Sequence, residues 1–198
     1  MKNILTFLAL LSMSLLSAQT IVPLSSATPD DYFSGNTYIK DINGMLDPFV
    51  GTWQWTDGTN TFTIKFVKKT QWNPQNFNPY TKDVILGSYK NIQNGVVTYD
   101  HLNFSTEDAD FLTENYATII TSYDSPTILN INMTDKEKNK KLSGYFYLQY
   151  DPNLTAVGQV FTAKLEVHPM ENRFSSPNAQ PVLSGYSFPY TMILTKME

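Results

Sequence analysis

The residues best suited to acid–base or metal chemistry lie near the middle of the chain. His101 precedes an acidic stretch that contains Asp108, Asp110 and Glu114. Imidazole nitrogens and carboxylate oxygens in this order could bind a transition metal or exchange protons with a substrate. The second histidine, His168, is far along the chain, and there is no cysteine. A metal site would need both histidines to converge, which their spacing does not indicate, so we expect no metal site.

The acidic residues by themselves do not form a calcium loop. Asp108-x-Asp110 followed by Glu114 lacks the central glycine and the ligand spacing of such a loop. Ser105 and Thr106 instead offer side-chain oxygens that could cap a short helix within residues 105–115. The nine glycines are scattered singly, and no serine-nucleophile motif is present. We therefore expect no catalytic residues and no cofactor, and a protein that is not an enzyme.

Aromatic side chains offer a second chemistry, the binding of a ligand through ring contacts. Phe, Tyr and Trp make up 14% of the sequence. Trp53 and Trp55 are two residues apart, as are Tyr145 and Tyr147, so each pair shares one face of a strand. We identify these four side chains as candidate ligand contacts. For the two tyrosines the alternative is that they only cover the outer surface of a sheet.

The elements that position these residues are predicted to be strands joined by tight turns. Residues 51–56 lead through Asp57-Gly58 into residues 61–67, and Asn94-Gly95 marks a second hairpin. Five further segments carry β-branched or aromatic residues between turn clusters, at 117–123, 127–134, 142–150, 157–168 and 189–196. The pattern predicts an all-β protein, an antiparallel up-and-down barrel of about eight or nine strands. A two-sheet β-sandwich is the alternative.

Two segments between the strands have the composition of surface loops. The stretch WNPQNFNPY at residues 72–80 is rich in Pro and Asn, which places Trp72 in a loop. The charge run DKEKNKK at residues 135–141 is typical of a solvated hairpin tip rather than of a binding patch.

The segment LDPFVGTW at residues 46–53 resembles the Gly-x-Trp opening of the calycins, the superfamily of lipocalins and fatty-acid-binding proteins. The run YIKDINGMLDPFVGTW at 38–53 also resembles small exported bacterial proteins classed as domains of unknown function. The calycin resemblance implies a lipocalin-like barrel in which the indole of Trp53 closes one end. Lipocalins cover that indole with an arginine, whereas the only arginine here, Arg173, lies in a loop-like stretch and leaves Lys196 for this role.

The N-terminal residues 1–18 have the pattern of a secretory signal peptide. Lys2 precedes an apolar stretch that ends at Ser17-Ala18, a small-residue pair suited to cleavage. Gln19 stands where a lipoprotein would need its lipidated cysteine. We expect an exported, soluble protein, periplasmic or extracellular, that is not a lipoprotein and has no integral membrane segment in its mature chain.

The rest of the chain is predicted to be one domain, with residues 19–37 as a flexible lead-in and residues 38–198 as the barrel. A net charge of -4 without a basic cluster argues against a nucleic-acid partner. Two functions remain. The barrel binds a small apolar or amphipathic ligand in its interior, as eight-stranded barrels can. Alternatively, the interior is filled by side chains, and the protein is a non-enzymatic interaction or structural protein of the envelope with an envelope protein as its partner. A large interior cavity would favour the first function.

Overall fold

The computed structural model describes residues 19–73, 78–150, 160–170 and 181–197. The signal-peptide segment 1–18 and Arg173 lie outside these residues. The strands are β1 (Thr20–Pro23), β2 (Thr37–Lys40), β3 (Gly51–Asp57), β4 (Asn60–Trp72), β5 (Tyr80–Gln93), β6 (Val96–Asp100), β7 (Ile119–Ser125), β8 (Ile128–Asp135), β9 (Lys140–Tyr150), β10 (Val160–Pro169) and β11 (Thr191–Lys196). Helical structure in the described ranges is limited to 3-10 turns at Leu24–Ser26, Pro29–Tyr32, Asp47–Phe49 and Asp108–Asp110.

Eight of the strands form a closed antiparallel barrel in the order β5-β4-β3-β11-β10-β9-β8-β7. The sheet closes where β7 returns to β5, through the pairs Leu86 with Ile120 and Gly87 with Ile119. Closure gives every barrel strand two neighbours, which removes the exposed edges that an open sheet would present. The predicted barrel is confirmed, and the alternative of a two-sheet sandwich is wrong.

The two predicted hairpins are present, and local turn chemistry accounts for both. In the β3–β4 hairpin, Trp53 pairs with Ile64 and Trp55 with Phe62, around a turn in which Gly58 has φ +59°. The β5–β6 turn places Asn94 at φ 51° and Gly95 at φ 76°. Positive φ at both central residues matches the right-handed twist of the flanking strands, which is why Asn-Gly is favoured there.

Three strands lie outside the closed barrel and lengthen its sheet. β6 pairs with the end of β5, β2 runs parallel to the start of β5, and β1 runs parallel to β2. Part of the lead-in predicted at 19–37 is therefore strand or 3-10 turn. Its strand is held by backbone pairing with β2, and its sequence shows no alternation of apolar residues that would have indicated a strand. Whether this segment is flexible stays a prediction.

A second apolar cluster covers the outer face of β5. Trp72, Val84, Leu86, Tyr116 and Ala117 are buried together there. The indole Nε1 of Trp72 donates a hydrogen bond to the Tyr116 hydroxyl at 2.9 Å. The prediction that Trp72 lies in a loop is wrong, because β4 continues to this residue and its ring packs against the segment after β6.

The acidic segment 105–115 does not form the short helix that its capping residues suggested. It has a single 3-10 turn at Asp108–Asp110, and the Ser105 hydroxyl donates to the Asp110 carboxylate at 2.6 Å. The backbone of Ser105 bridges instead to Tyr116. Phe111 packs against Tyr116, with ring centroids 5.2 Å apart. This contact holds the segment on the barrel wall.

Candidate functional site

Aromatic rings occupy the barrel interior around Trp53. This residue is fully buried, and its indole Nε1 donates to the Phe49 carbonyl at 2.9 Å. Its ring centroid lies 5.2 Å from that of Phe146, which in turn lies 5.1 Å from Phe66. Such spacings are those of rings in direct contact. This part of the interior is therefore filled by side chains.

The end of the barrel beyond Trp53 is closed by Lys196. The Lys196 ammonium lies 5.1 Å from the indole centroid and donates to the Pro48 carbonyl at 3.0 Å. A side chain at Gly51, where φ is +127°, would bring a Cβ to 3.1 Å from the Lys196 side chain. Burial lowers the pKa of Lys196. The expectation that Lys196 covers Trp53 in place of an arginine is confirmed.

A second group of rings fills the interior near the opposite end. Phe62 stacks on Tyr89 with centroids 5.3 Å apart. Phe188, from the segment between β10 and β11, lies 4.6 Å from Phe62 and 5.5 Å from Tyr89. Phe188 therefore closes this end of the barrel. We call residues 186–190 the plug segment.

Buried hydrogen bonds hold the plug segment in place. The Asp135 carboxylate, fully buried, accepts from the Ser187 backbone N–H at 2.9 Å and from the Ser187 hydroxyl at 2.7 Å. The Ser187 carbonyl accepts from Asn91 at 3.0 Å and from Gln93 at 2.6 Å. The prediction that residues 135–141 form a solvated tip is wrong for Asp135, because this carboxylate anchors a segment distant in sequence.

Beside the plug lies a cleft of about 490 Å³, which we call the end cleft. The cleft lies between the ends of β3 and β5 on one side and the plug segment on the other. The lining residues are Trp55, Asp57, Asn60, Asn91, Ile92, Gln93, Asn94, Tyr186, Ser187, Phe188, Pro189 and Tyr190. The set combines aromatic rings with amides and one carboxylate, which is suited to binding a small molecule with both apolar and polar surface.

The structure does not bring the four predicted ligand contacts together. Trp53 is enclosed in the interior, whereas Trp55, two residues on, is half-buried at the rim and lines the end cleft. Tyr145 and Tyr147 lie on the outer face of β9, with ring centroids 5.6 Å apart and Tyr145 40% exposed. Both indoles pack against the interior cluster, but only Trp53 is fully enclosed by it, because Trp55 lies where β3 reaches the barrel rim.

Tyr186 and Tyr190, which were not predicted from the sequence, complete the aromatic wall of the end cleft. Their ring centroids are 5.7 Å apart with an interplanar angle of 41°, and Tyr190 is 54% exposed. The available signal was the run YSFPY at residues 186–190, in which three aromatic residues surround a serine and a proline.

A serine–histidine pair lies in the barrel wall, away from the end cleft. The Ser88 hydroxyl is 2.9 Å from His101 Nδ1 and 2.8 Å from the Thr118 hydroxyl. Burial lowers the pKa of His101, so the imidazole is neutral near neutral pH and can accept from Ser88. Ser88 itself is fully buried, so its hydroxyl is shielded from any substrate. The pair is better suited to holding the segment after β6 than to nucleophilic chemistry, and the absence of enzyme activity stays a prediction.

The remaining candidates for metal or membrane contact add little. His168 Nε2 lies 3.7 Å from the Glu166 carboxylate on the exposed face of β10. In the ranges that the structure covers, no group of three or more His, Asp or Glu side chains is arranged to hold a metal ion. None of the helical segments described is long and apolar enough to span a bilayer.

The chain belongs to a family of unknown function, DUF6705, whose family model matches residues 1–197. This agrees with the resemblance of residues 38–53 to domains of unknown function. Neither the curated proteins nor the solved structures contain a match to the chain. The family description names no ligand.

Proposed function

We propose that this protein is an exported, non-enzymatic binding protein that holds a small amphipathic ligand in the end cleft of a filled barrel. The observation that carries this proposal is the contrast between the barrel interior, occupied by contacting rings, and the cleft beside Trp55. A volume of about 490 Å³ falls within the range of about 300–1,000 Å³ found for small-molecule sites.

The filled interior argues against a ligand carried inside the barrel. Trp53, Phe62, Phe66, Tyr89 and Phe146 are each at most 1% exposed. A ligand in the interior would have to displace at least one of these rings. Truncating such a ring costs about 3–5 kcal/mol, and displacing one would carry a similar cost. The end cleft takes a ligand without that cost.

The walls of the cleft are fixed before any ligand binds. The Gly95 backbone N–H donates to the Thr59 carbonyl at 2.9 Å, and the Asn94 backbone N–H donates to Asn60 Oδ1 at 2.9 Å. These two bonds join the tips of the β3–β4 and β5–β6 hairpins. A site whose walls are already ordered loses less conformational entropy when it binds.

Export is supported by the signal-peptide pattern of residues 1–18. A protein without cysteine can work in an oxidising compartment without mispaired disulfides, and its large buried core provides stability without them.

The proposal is tested by titrating the mature protein with benzyl alcohol, a small neutral amphiphile, and following intrinsic tryptophan fluorescence. We expect a saturable change in emission, and we expect Trp55→Ala to weaken binding by at least about tenfold. Saturation-transfer NMR on the same samples measures binding independently of the indole that the variant removes.

Tyr145→Ala is the matched control, because Tyr145 is also a partly exposed aromatic residue but lies on the outer face of β9. Its affinity for benzyl alcohol should equal that of the parent protein. No saturable binding, or binding that Trp55→Ala leaves unchanged, would overturn the end cleft as the ligand site.

A further inference from the structure

We infer that the ligand of the end cleft is a neutral saccharide, with a sugar ring packed against Trp55 and the two plug tyrosines. This inference rests on the proposed function and narrows its ligand to one chemical class. Sugar rings have an apolar face of C–H groups and a rim of hydroxyl groups. A site for a sugar ring needs a flat aromatic surface against the C–H face, and hydrogen-bond donors and acceptors beside it for the hydroxyl groups.

The aromatic surface comes from Trp55, Tyr186 and Tyr190. Trp55 and Tyr186 are half-buried and pack against the barrel core, which fixes their rings. Tyr190 is 54% exposed and lies 5.7 Å from Tyr186. Trp55 and Tyr190 therefore present ring surface to the cleft, whereas the Tyr186 ring is covered on one side by the Lys140 ammonium.

The polar groups of the cleft can serve a hydroxyl rim. Asn60 uses its Oδ1 atom to accept from the Asn94 backbone, which leaves its amide N–H₂ as a donor. Gln93 uses its Nε2 atom on the Ser187 carbonyl, which leaves its Oε1 atom as an acceptor. The Asp57 carboxylate lies at the rim of the cleft with two acceptor oxygens. Adjacent sugar hydroxyls each donate and accept, so they match this mixed set.

The charges around the cleft favour a neutral ligand over an acidic one. Asp57 is the one ionisable carboxylate or ammonium in the cleft lining as described. Lys140 approaches Tyr186, but its ammonium packs over that ring and donates to the Gly185 carbonyl. A fatty acid would need a cation for its carboxylate and an apolar channel for its chain, and the filled interior leaves no room for the chain.

The inference is tested by saturation-transfer NMR and calorimetry with the neutral disaccharides cellobiose, maltose, lactose, xylobiose and N,N′-diacetylchitobiose. We expect at least one to bind saturably, and Tyr190→Ala to weaken that binding by at least about tenfold. Tyr190→Phe should bind within about threefold of the parent, because the stacking surface is kept. Tyr190 is mostly exposed, so these variants should fold even if Trp55→Ala does not. Digalacturonate, an acidic disaccharide, should bind at least about tenfold more weakly than the best neutral sugar.

Each outcome decides between the proposals. If every neutral disaccharide fails while benzyl alcohol binds at the cleft, the saccharide inference is overturned and the proposed function stands. If benzyl alcohol fails as well, both are overturned. If a disaccharide binds but Tyr145→Ala abolishes the binding and Tyr190→Ala does not, the sugar site is the outer face of β9 and the inference is again overturned.

Discussion

The three tryptophans of this chain lie in three different environments, and their energetic roles differ accordingly. Trp53 is enclosed by Phe49, Phe146 and Lys196, whereas Trp55 keeps part of its ring in the end cleft. We expect Trp53→Ala to lower the free energy of unfolding by about 3–5 kcal/mol. Trp55→Ala should lower it by about 1–2 kcal/mol, because less of this side chain is buried. Urea unfolding of both variants beside the parent measures the two losses.

Trp72→Phe is the matched control for this pair. It keeps a ring in the second cluster but loses the hydrogen bond from Nε1 to the Tyr116 hydroxyl. We expect a loss of about 1 kcal/mol. A loss at Trp55 as large as that at Trp53 would show that Trp55 belongs to the interior, against its place at the rim.

A buried ion pair near the start of β3 makes stability depend on pH. Burial by itself would raise the pKa of the Asp41 carboxyl, but the Lys68 ammonium and the backbone N–H groups of Leu46 and Met45 outweigh burial. The pKa is therefore held below its ordinary value of 3.8. The stabilisation is present above that value and is lost as the pH falls through the lower pKa of the folded state.

We expect Asp41→Asn to lower the free energy of unfolding by about 2 kcal/mol at neutral pH. The difference from the parent should narrow once the pH is below 3.8. Asp47→Asn is the control, because Asp47 also contacts Lys68 at 2.7 Å but its side chain is 64% exposed. That variant should lose under about 1 kcal/mol. A difference for Asp41→Asn that is the same at every pH would contradict the assignment of a depressed pKa.

The strands β9 and β10 approach each other so closely that only glycine fits at position 144. A Cβ on Gly144 would clash with the Glu166 carbonyl oxygen and lie 2.7 Å from the Val167 Cα. Both are backbone atoms, so the strands themselves would have to separate. We expect Gly144→Ala to cost about 3 kcal/mol in thermal or urea unfolding. Gly35→Ala, where a Cβ meets nothing within 4 Å, should change stability by under about 0.5 kcal/mol. Equal effects at the two positions would contradict the register of β9 and β10.

The strands that could be predicted from the sequence are those with local signals. Alternating apolar residues and a Gly-containing turn specify the β3–β4 hairpin without reference to the rest of the chain. β2 was missed because it pairs with the start of β5, more than forty residues away in sequence, and β1 was missed because it pairs in turn with β2. The end cleft was missed for the same reason. Its plug is fixed by a bond between Asp135 and Ser187, which are 52 residues apart.

The signal-peptide pattern predicts that the protein is cleaved during export. We expect the mature chain to begin at Gln19 or within a residue or two of it, because Ser17-Ala18 suits cleavage. N-terminal sequencing of protein recovered from the periplasm or medium of its own organism checks this. Retention of Met1, or fractionation of the protein with membranes, would contradict the proposed localisation.

In the arrangement that we propose, the barrel is filled and the ligand binds at one end of it. The most direct test is fluorine NMR of mature protein labelled with fluorotryptophan, whose resonances are assigned by Trp53→Phe, Trp55→Phe and Trp72→Phe. On titration with benzyl alcohol, the resonance of Trp55 should shift saturably while those of Trp53 and Trp72 stay in place. A saturable shift of the Trp53 resonance would place the ligand in the interior, and no shift of the Trp55 resonance would remove the end cleft as the site.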